Sequence, residues 1–150
     1  MAEDRDALIR HYEEAHDALL AAIDGIDAPQ LAEPSLDGWS VADHLAHIAA
    51  WDEIRASEVA RISAGYDSAW RMSGGQDDAF NEMAHELRRG FSPEQALWEL
   101  ETSHQRLLDA ITAASERGLD ASLYGEAGLL TDHHAEHAGW LRRWREDNAL

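Results

Sequence analysis

The residues best equipped for chemistry are two histidines four apart, His133 and His137, in the run TDHHAEHAGWLRRWRE (131–146). At ~100° per residue, a helix over this run places His133, His137, Trp140, Leu141 and Trp144 on one stripe. The stripe is apolar at its C-terminal end and carries imidazoles at its start. Two unpartnered imidazoles buried together would each lose the water that satisfies a ring donor and acceptor. Histidines at i and i+4 on one helix face can instead share a metal ion. The alternatives are core histidines hydrogen-bonded to backbone or carboxylates, or a stripe that opens to solvent. A second pair, His44 and His47, lies in GWSVADHLAHIAAWDE (38–53). The helical wheel places His44 near the middle of that apolar face and His47 towards its edge.

Composition narrows the chemistry. The chain has 150 residues, enough for one domain (1–150) with a single substantial core. It contains no cysteine, so disulfides and thiolate ligands are excluded and any metal must use histidine and carboxylate. Its 30 acidic residues face 12 basic ones, all arginine, for a formal charge of −18. Such a surface repels phosphates and anionic membranes, so no nucleic-acid or membrane partner is expected. The absence of lysine excludes Schiff-base catalysis. No apolar run approaches the ~20 residues of a membrane span, and the expected location is cytoplasmic.

The elements that must position the histidines read as all-α. Leu8, Ile9, Tyr12, Ala15, Leu19, Leu20 and Ile23 have helical spacing over 3–24, flanked by His11 and His16, both expected to be partly exposed. Gly25 ends this helix, and 26–39 reads as a crossover loop with Pro29, Pro34 and Gly38. Ser40 caps a second helix over 41–63, with Asp43 in its first turn and Trp39 stapling its entry. Gly65 to Gln76 breaks the pattern, and a short helix covers 77–89. Ser92-Pro93-Glu94-Gln95 starts a third long helix, with Leu100, His104, Leu107 and Ile111 inward, closing near Gly118. His104 is read as a core histidine with a hydrogen-bond partner, or else as a fourth ligand. Thr131 is the expected cap of the last helix. The sum is a four-helix bundle with one short additional helix. Trp70 and Trp98 are either core residues or the surface of a homodimer.

GWSVADHLAHIAAWDE resembles the second-helix signature of the DinB/YfiT-like superfamily of metalloenzymes, and HHAEHAGWLRRW (133–144) resembles its last-helix signature. DDAFNE (77–82) together with the SPEQAL…HQRLL helix resembles the ClbS/DfsB branch. The superfamily also includes the metal-binding domains of mycothiol-dependent maleylpyruvate isomerases. This resemblance implies His47, His133 and His137 as the ligands. His47 is chosen over His44 because it precedes the Ile48-Ala49-Ala50-Trp51 run that follows the ligand in the family. His44 then becomes a core residue or a neighbour of the ligands. Glu136 and His134 are read as groove-lining or exposed, although in mycothiol-dependent relatives a carboxylate replaces one histidine ligand.

The resemblance further implies a divalent ion, zinc foremost with nickel or another transition metal as alternatives, and a small-molecule substrate. The implied activity is an S-transferase or isomerase using a low-molecular-weight thiol. The alternative is a ClbS-like protective hydrolase, or a sequestering module, for a reactive electrophile. The chain ends at Leu150 without the C-terminal domain of the longer isomerases, which argues against maleylpyruvate isomerisation itself. No general acid is identifiable; Asp52, Asp78 and Glu82 are expected to be solvated. Substrate is expected beneath the Gly65 to Gln76 loop.

Overall fold

Helices begin in this chain where a side-chain oxygen meets the free amides of a first turn. The computed structural model describes residues 2–36, 38–71 and 75–150. Helix α1 (Arg5–Ile23) follows Asp4, which accepts a hydrogen bond from the Ala7 N–H at 3.0 Å. Gly25 then takes a positive φ of 77°, open to glycine without strain, and the helix stops. A five-residue helix α2 (Ala28–Ala32) lies within the stretch read as loop; Asp27 caps it and Pro29 stands in its first turn. Helix α3 (Val41–Ser63) opens on a capping box, with Asp43 N–H donating to Ser40 Oγ and Ser40 N–H donating to Asp43. Helix α4 (Gln76–Arg88) is short, and α5 (Pro93–Thr112) starts at Ser92. It ends earlier than the sequence suggested, because Ser115 turns back to bond Ser63.

Helix α6 (His133–Asp147) starts differently. Thr131 lies one residue too early to cap it. Asp132 holds the cap position at φ −100°, ψ 14°, outside the extended region, and makes no side-chain cap bond. The histidine-bearing end of α6 carries acidic Asp132 at its cap position and Glu136 in its first turn. Among the described residues there is no strand, only one isolated bridge between Leu36 and Trp39.

Side-chain pairings fix the helix directions. His47 and His44 of α3 meet His133 and His137 of α6, so these two helices are antiparallel. Glu53 meets Arg106, and Ser63 meets Ser115, so α3 and α5 run parallel. Tyr12 bonds the Leu129 carbonyl and Arg145 bonds the Ala22 carbonyl, so α1 and α6 also run parallel. The four long helices thus form a bundle whose α3–α6 seam makes far fewer close approaches than the α3–α5 or α1–α6 seams.

The core is divided. One apolar cluster gathers Leu19, Ile23, Leu45, Ile48, Leu100, Leu141 and Trp144; the other gathers Leu8, Tyr12, Val59, Leu107, Ile111 and Leu129. Between them lies a layer of buried polar residues: His16, Asp52, Arg55, Ser103, His104 and His134. Every long helix contributes to it. The two apolar clusters supply the burial that folds the domain, while the layer between must satisfy its own polar groups.

A candidate metal centre in the α3–α6 seam

The first residue of α6 is His133, and His137 follows one turn later on the same face. His47 projects from α3 across the open seam. His47 Nε2 lies 3.0 Å from His133 Nε2, which lies 3.1 Å from His137 Nε2. One ring nitrogen of each residue falls within 4.8 Å of the others. Tetrahedral ligation at ~2.0–2.1 Å separates ligand nitrogens by about 3.3 Å, so the donor spacing fits a transition-metal ion. Burial pushes the imidazoles down, His47 to about 4, His133 to about 3 and His137 to about 2, with neighbouring imidazoles lowering each further. All three are neutral at neutral pH, the form in which imidazole ligates. This cluster could hold a metal ion.

His44 stands beside the cluster. Its Nδ1 lies 3.2 Å from His137 Nδ1, on the opposite side of that ring from the converging nitrogens. A partner on the second nitrogen fixes the tautomer and orientation of a ligating imidazole. The wheel and the motif therefore both describe something present: His44 faces inward against His137, and His47 reaches the point of convergence.

Two expectations fail in the same place. His134 is 1 % exposed and Asp52 is fully buried, where the sequence suggested groove or solvent. Asp52 accepts from Arg55 at 3.0 Å and lies 2.8 Å from His134 Nε2. Arg55, 2 % exposed, also donates to the carbonyls of Ala127 and Gly128. The wheel misplaced both residues because it assumes an apolar interior, whereas this one is crossed by a polar layer. The network ties the first turn of α6 to the middle of α3, and so holds the helix of His133 against the helix of His47.

The other sequence candidates separate cleanly. His16 is buried, not partly exposed; its ring stacks on His104 at 3.9 Å, and its Nε2 lies 2.8 Å from Glu101. His104 is a core residue as read, but its contact is this stacking, and it stands apart from the triad. Burial and the adjacent His16 push His104 down to about 4. Glu136, Asp78 and Glu82 are exposed. Trp70 packs edge-on to Trp51 and Phe80, while Trp98 is 62 % exposed.

Two openings reach the triad. The larger, a groove of about 770 Å³, is walled by Trp39, Trp140, Trp144 and Leu36, with Arg143 at its edge. Trp39 lies edge-on to both His44 and His47, and Trp140 edge-on to His137. The smaller, a recess of about 240 Å³, is lined by Arg55, Asp77, Asn81 and Glu126 together with Trp51 and Ala127. His47 and His133 border both. Residues 65–71 line neither opening, and Met72 to Gly74 of the loop expected over the substrate lie outside the described residues. The tryptophan walls were legible only in part: Trp140 and Trp144 share the histidine stripe, but Trp39 comes from the crossover.

The fold and the histidine cluster define a DinB-like helical bundle with a candidate metal centre. The chain belongs to the family of the mycothiol maleylpyruvate isomerase N-terminal domain, which it matches over residues 12–147. Among solved structures it is similar to an uncharacterised protein from Escherichia coli UTI89, at 15 % identity and a TM-score of 0.78. That similarity covers 97 % of this chain and 95 % of the other, and it establishes the fold alone. No curated protein matches the chain significantly.

Proposed function

We propose that His47, His133 and His137 hold a divalent transition-metal ion, zinc foremost, and that the protein is a metal-dependent transferase or isomerase using a low-molecular-weight thiol. The observation that carries this reading is the convergence of three neutral imidazoles within 4.8 Å at the floor of a tryptophan-walled groove. When bound, the ion supplies positive charge that brings the pKa of a thiol or water towards neutrality. The residues of the chain do the rest. His47, His133 and His137 add no negative charge to offset the ion, and His44 holds the His137 ring in place. Trp39, Trp140 and Trp144 exclude water from one side of the site and offer flat apolar surface to a substrate. The protein has no cysteine, so sulfur must come from a small thiol. Membership of a family named for a mycothiol-dependent isomerase supports the thiol.

A second reading shares the same groove. The exposed tryptophan surface could also hold an electrophile for hydrolysis or simple sequestration, in line with the resemblance to the ClbS/DfsB branch. One experiment separates the readings. Protein purified without chelator is assayed for metal by elemental analysis, then incubated with model electrophiles with and without thiols, and adducts are followed by mass spectrometry. Near-stoichiometric metal and thiol adducts that vanish in His133→Ala support the transferase. Metal-dependent loss of electrophile without sulfur incorporation favours the hydrolase. Equal rates with and without metal overturn both catalytic readings and leave sequestration.

A further inference from the structure

The triad stands at the wall between two chambers of different size and lining, and the proposed thiol chemistry needs two reactants. His137 borders only the large groove, Arg55, Asp77 and Glu126 only the small recess, and His47, His133 and Asn81 belong to both. The groove is aromatic. Its outer wall, Trp140, is 42 % exposed, so a large apolar face is left to water beside the histidines. Covering such a face with a flat apolar molecule is favourable, and the edge-on packing of Trp140 on His137 at 4.7 Å keeps the indole from collapsing across the cluster.

The recess differs in size and chemistry. Its 240 Å³ is about a third of the groove's 770 Å³, so of two reactants the bulkier belongs in the groove. The guanidinium of Arg55 stands there almost wholly buried, held by Asp52 and two carbonyls. Asn81 has its carbonyl oxygen engaged by Trp51 Nε1 at 2.6 Å, which fixes the orientation of its amide. Asp77 and Glu126 are exposed at the rim. A flat apolar ligand there would cover the exposed Asp77 and Glu126 carboxylates without pairing them, which is costly, whereas a small polar group can bond to them.

We propose that the two chambers bind the two reactants separately and at once: a planar apolar electrophile in the tryptophan groove, and the sulfur-bearing end of a small polar thiol in the recess. The inference rests on the thiol-transfer reading and adds to it an assignment of sides. For an activated alkene the reaction balances as an addition. The thiol gives up its proton, the sulfur forms a bond to one alkene carbon, and the π pair moves to the neighbouring carbon, which takes up a proton. Nothing is oxidised and nothing leaves. The wall of His47 and His133 is where the two reactants meet.

The test reads binding, not turnover. N-Phenylsuccinimide, an unreactive flat probe, is titrated by quenching of tryptophan fluorescence. 2-Mercaptoethanol is titrated on cobalt-loaded protein by the sulfur-to-cobalt charge-transfer band. Each Kd is measured with and without saturation by the other ligand. Two variants assign the sides: Trp140→Ala in the groove, and Glu126→Trp, which blocks the recess from its exposed rim. The expected result is mutual independence within about twofold, with Trp140→Ala weakening only the succinimide and Glu126→Trp only the thiol, each by about tenfold or more. Competition between the probes, both probes weakened by one variant, or a thiol indifferent to Glu126→Trp would overturn the division while leaving thiol binding intact. Absence of the charge-transfer band in the unaltered protein would sink the thiol reading itself, and this inference with it.

Discussion

Removing the Asp52 carboxylate tests whether the buried polar layer holds the metal centre together. Asp52 is fully buried and faces two partners, Arg55 at 3.0 Å and His134 at 2.8 Å. Asp52→Ala leaves the Arg55 guanidinium, 2 % exposed, without its counter-charge. Breaking a buried pair from one side costs about 3–5 kcal/mol, more than the pair itself contributes. At roughly 2–4 °C per kcal/mol for a domain of this size, the melting temperature of metal-free protein should fall by about 6–20 °C. Arg55→Met should also destabilise, since it leaves Asp52 buried and the carbonyls of Ala127 and Gly128 unpaired. The double variant removes both charges, so its loss should be smaller than the sum of the two by about 0.5–3 kcal/mol. Chemical denaturation monitored by circular dichroism measures all three. The same change frees His134, the neighbour of His133, so metal affinity should drop as well. A fall of under about 3 °C in Asp52→Ala, or strict additivity in the cycle, would refute the reasoning, because it would mean that water reaches Arg55.

Three further outcomes are expected. His47→Ala should lose bound metal by elemental analysis, while His44→Ala retains it with weakened affinity, because only His47 reaches the convergence point; equal metal content in wild type and His47→Ala would overturn the ligand set. Metal-free protein should lose stability as pH falls from about 6.5 towards 4. His47, His133, His137 and His104 stay neutral in the fold while their unfolded counterparts protonate near 6.5, each contributing a slope of up to about 1.4 kcal/mol per pH unit. Above pH 7 these groups should contribute no slope, so a melting temperature flat from pH 7 to 5 would contradict the folded-state shifts. Chelation should lower the melting temperature without unfolding the chain at room temperature, since two apolar clusters fold the bundle without the ion; loss of helical circular dichroism on adding chelator would count against this.

The amino-acid sequence by itself determined the starts of α3 and α5, though not the short α2 or the cap of α6. Asp43 three residues after Ser40 and Pro93 after Ser92 are local signals, settled within one turn, and α3 begins and ends where its periodicity says. The i, i+4 spacing of His133 and His137 is likewise local, so their shared face was legible before any packing. The third imidazole was not legible from the wheel, because a helix alone does not say which of its edges meets a partner. That depended on α6 lying antiparallel to α3 across a widened seam, which puts His47 against His133 and His44 behind His137. Asp52, His134 and His16 read as surface residues because polar side chains are normally solvated. They are buried because four helices bring them to one level, where each finds a polar or aromatic partner contributed by another helix. Periodicity is a property of one helix, whereas pairing across the bundle is a property of all of them. The tertiary structure alone could therefore place a charge in the core and leave a tryptophan at the surface.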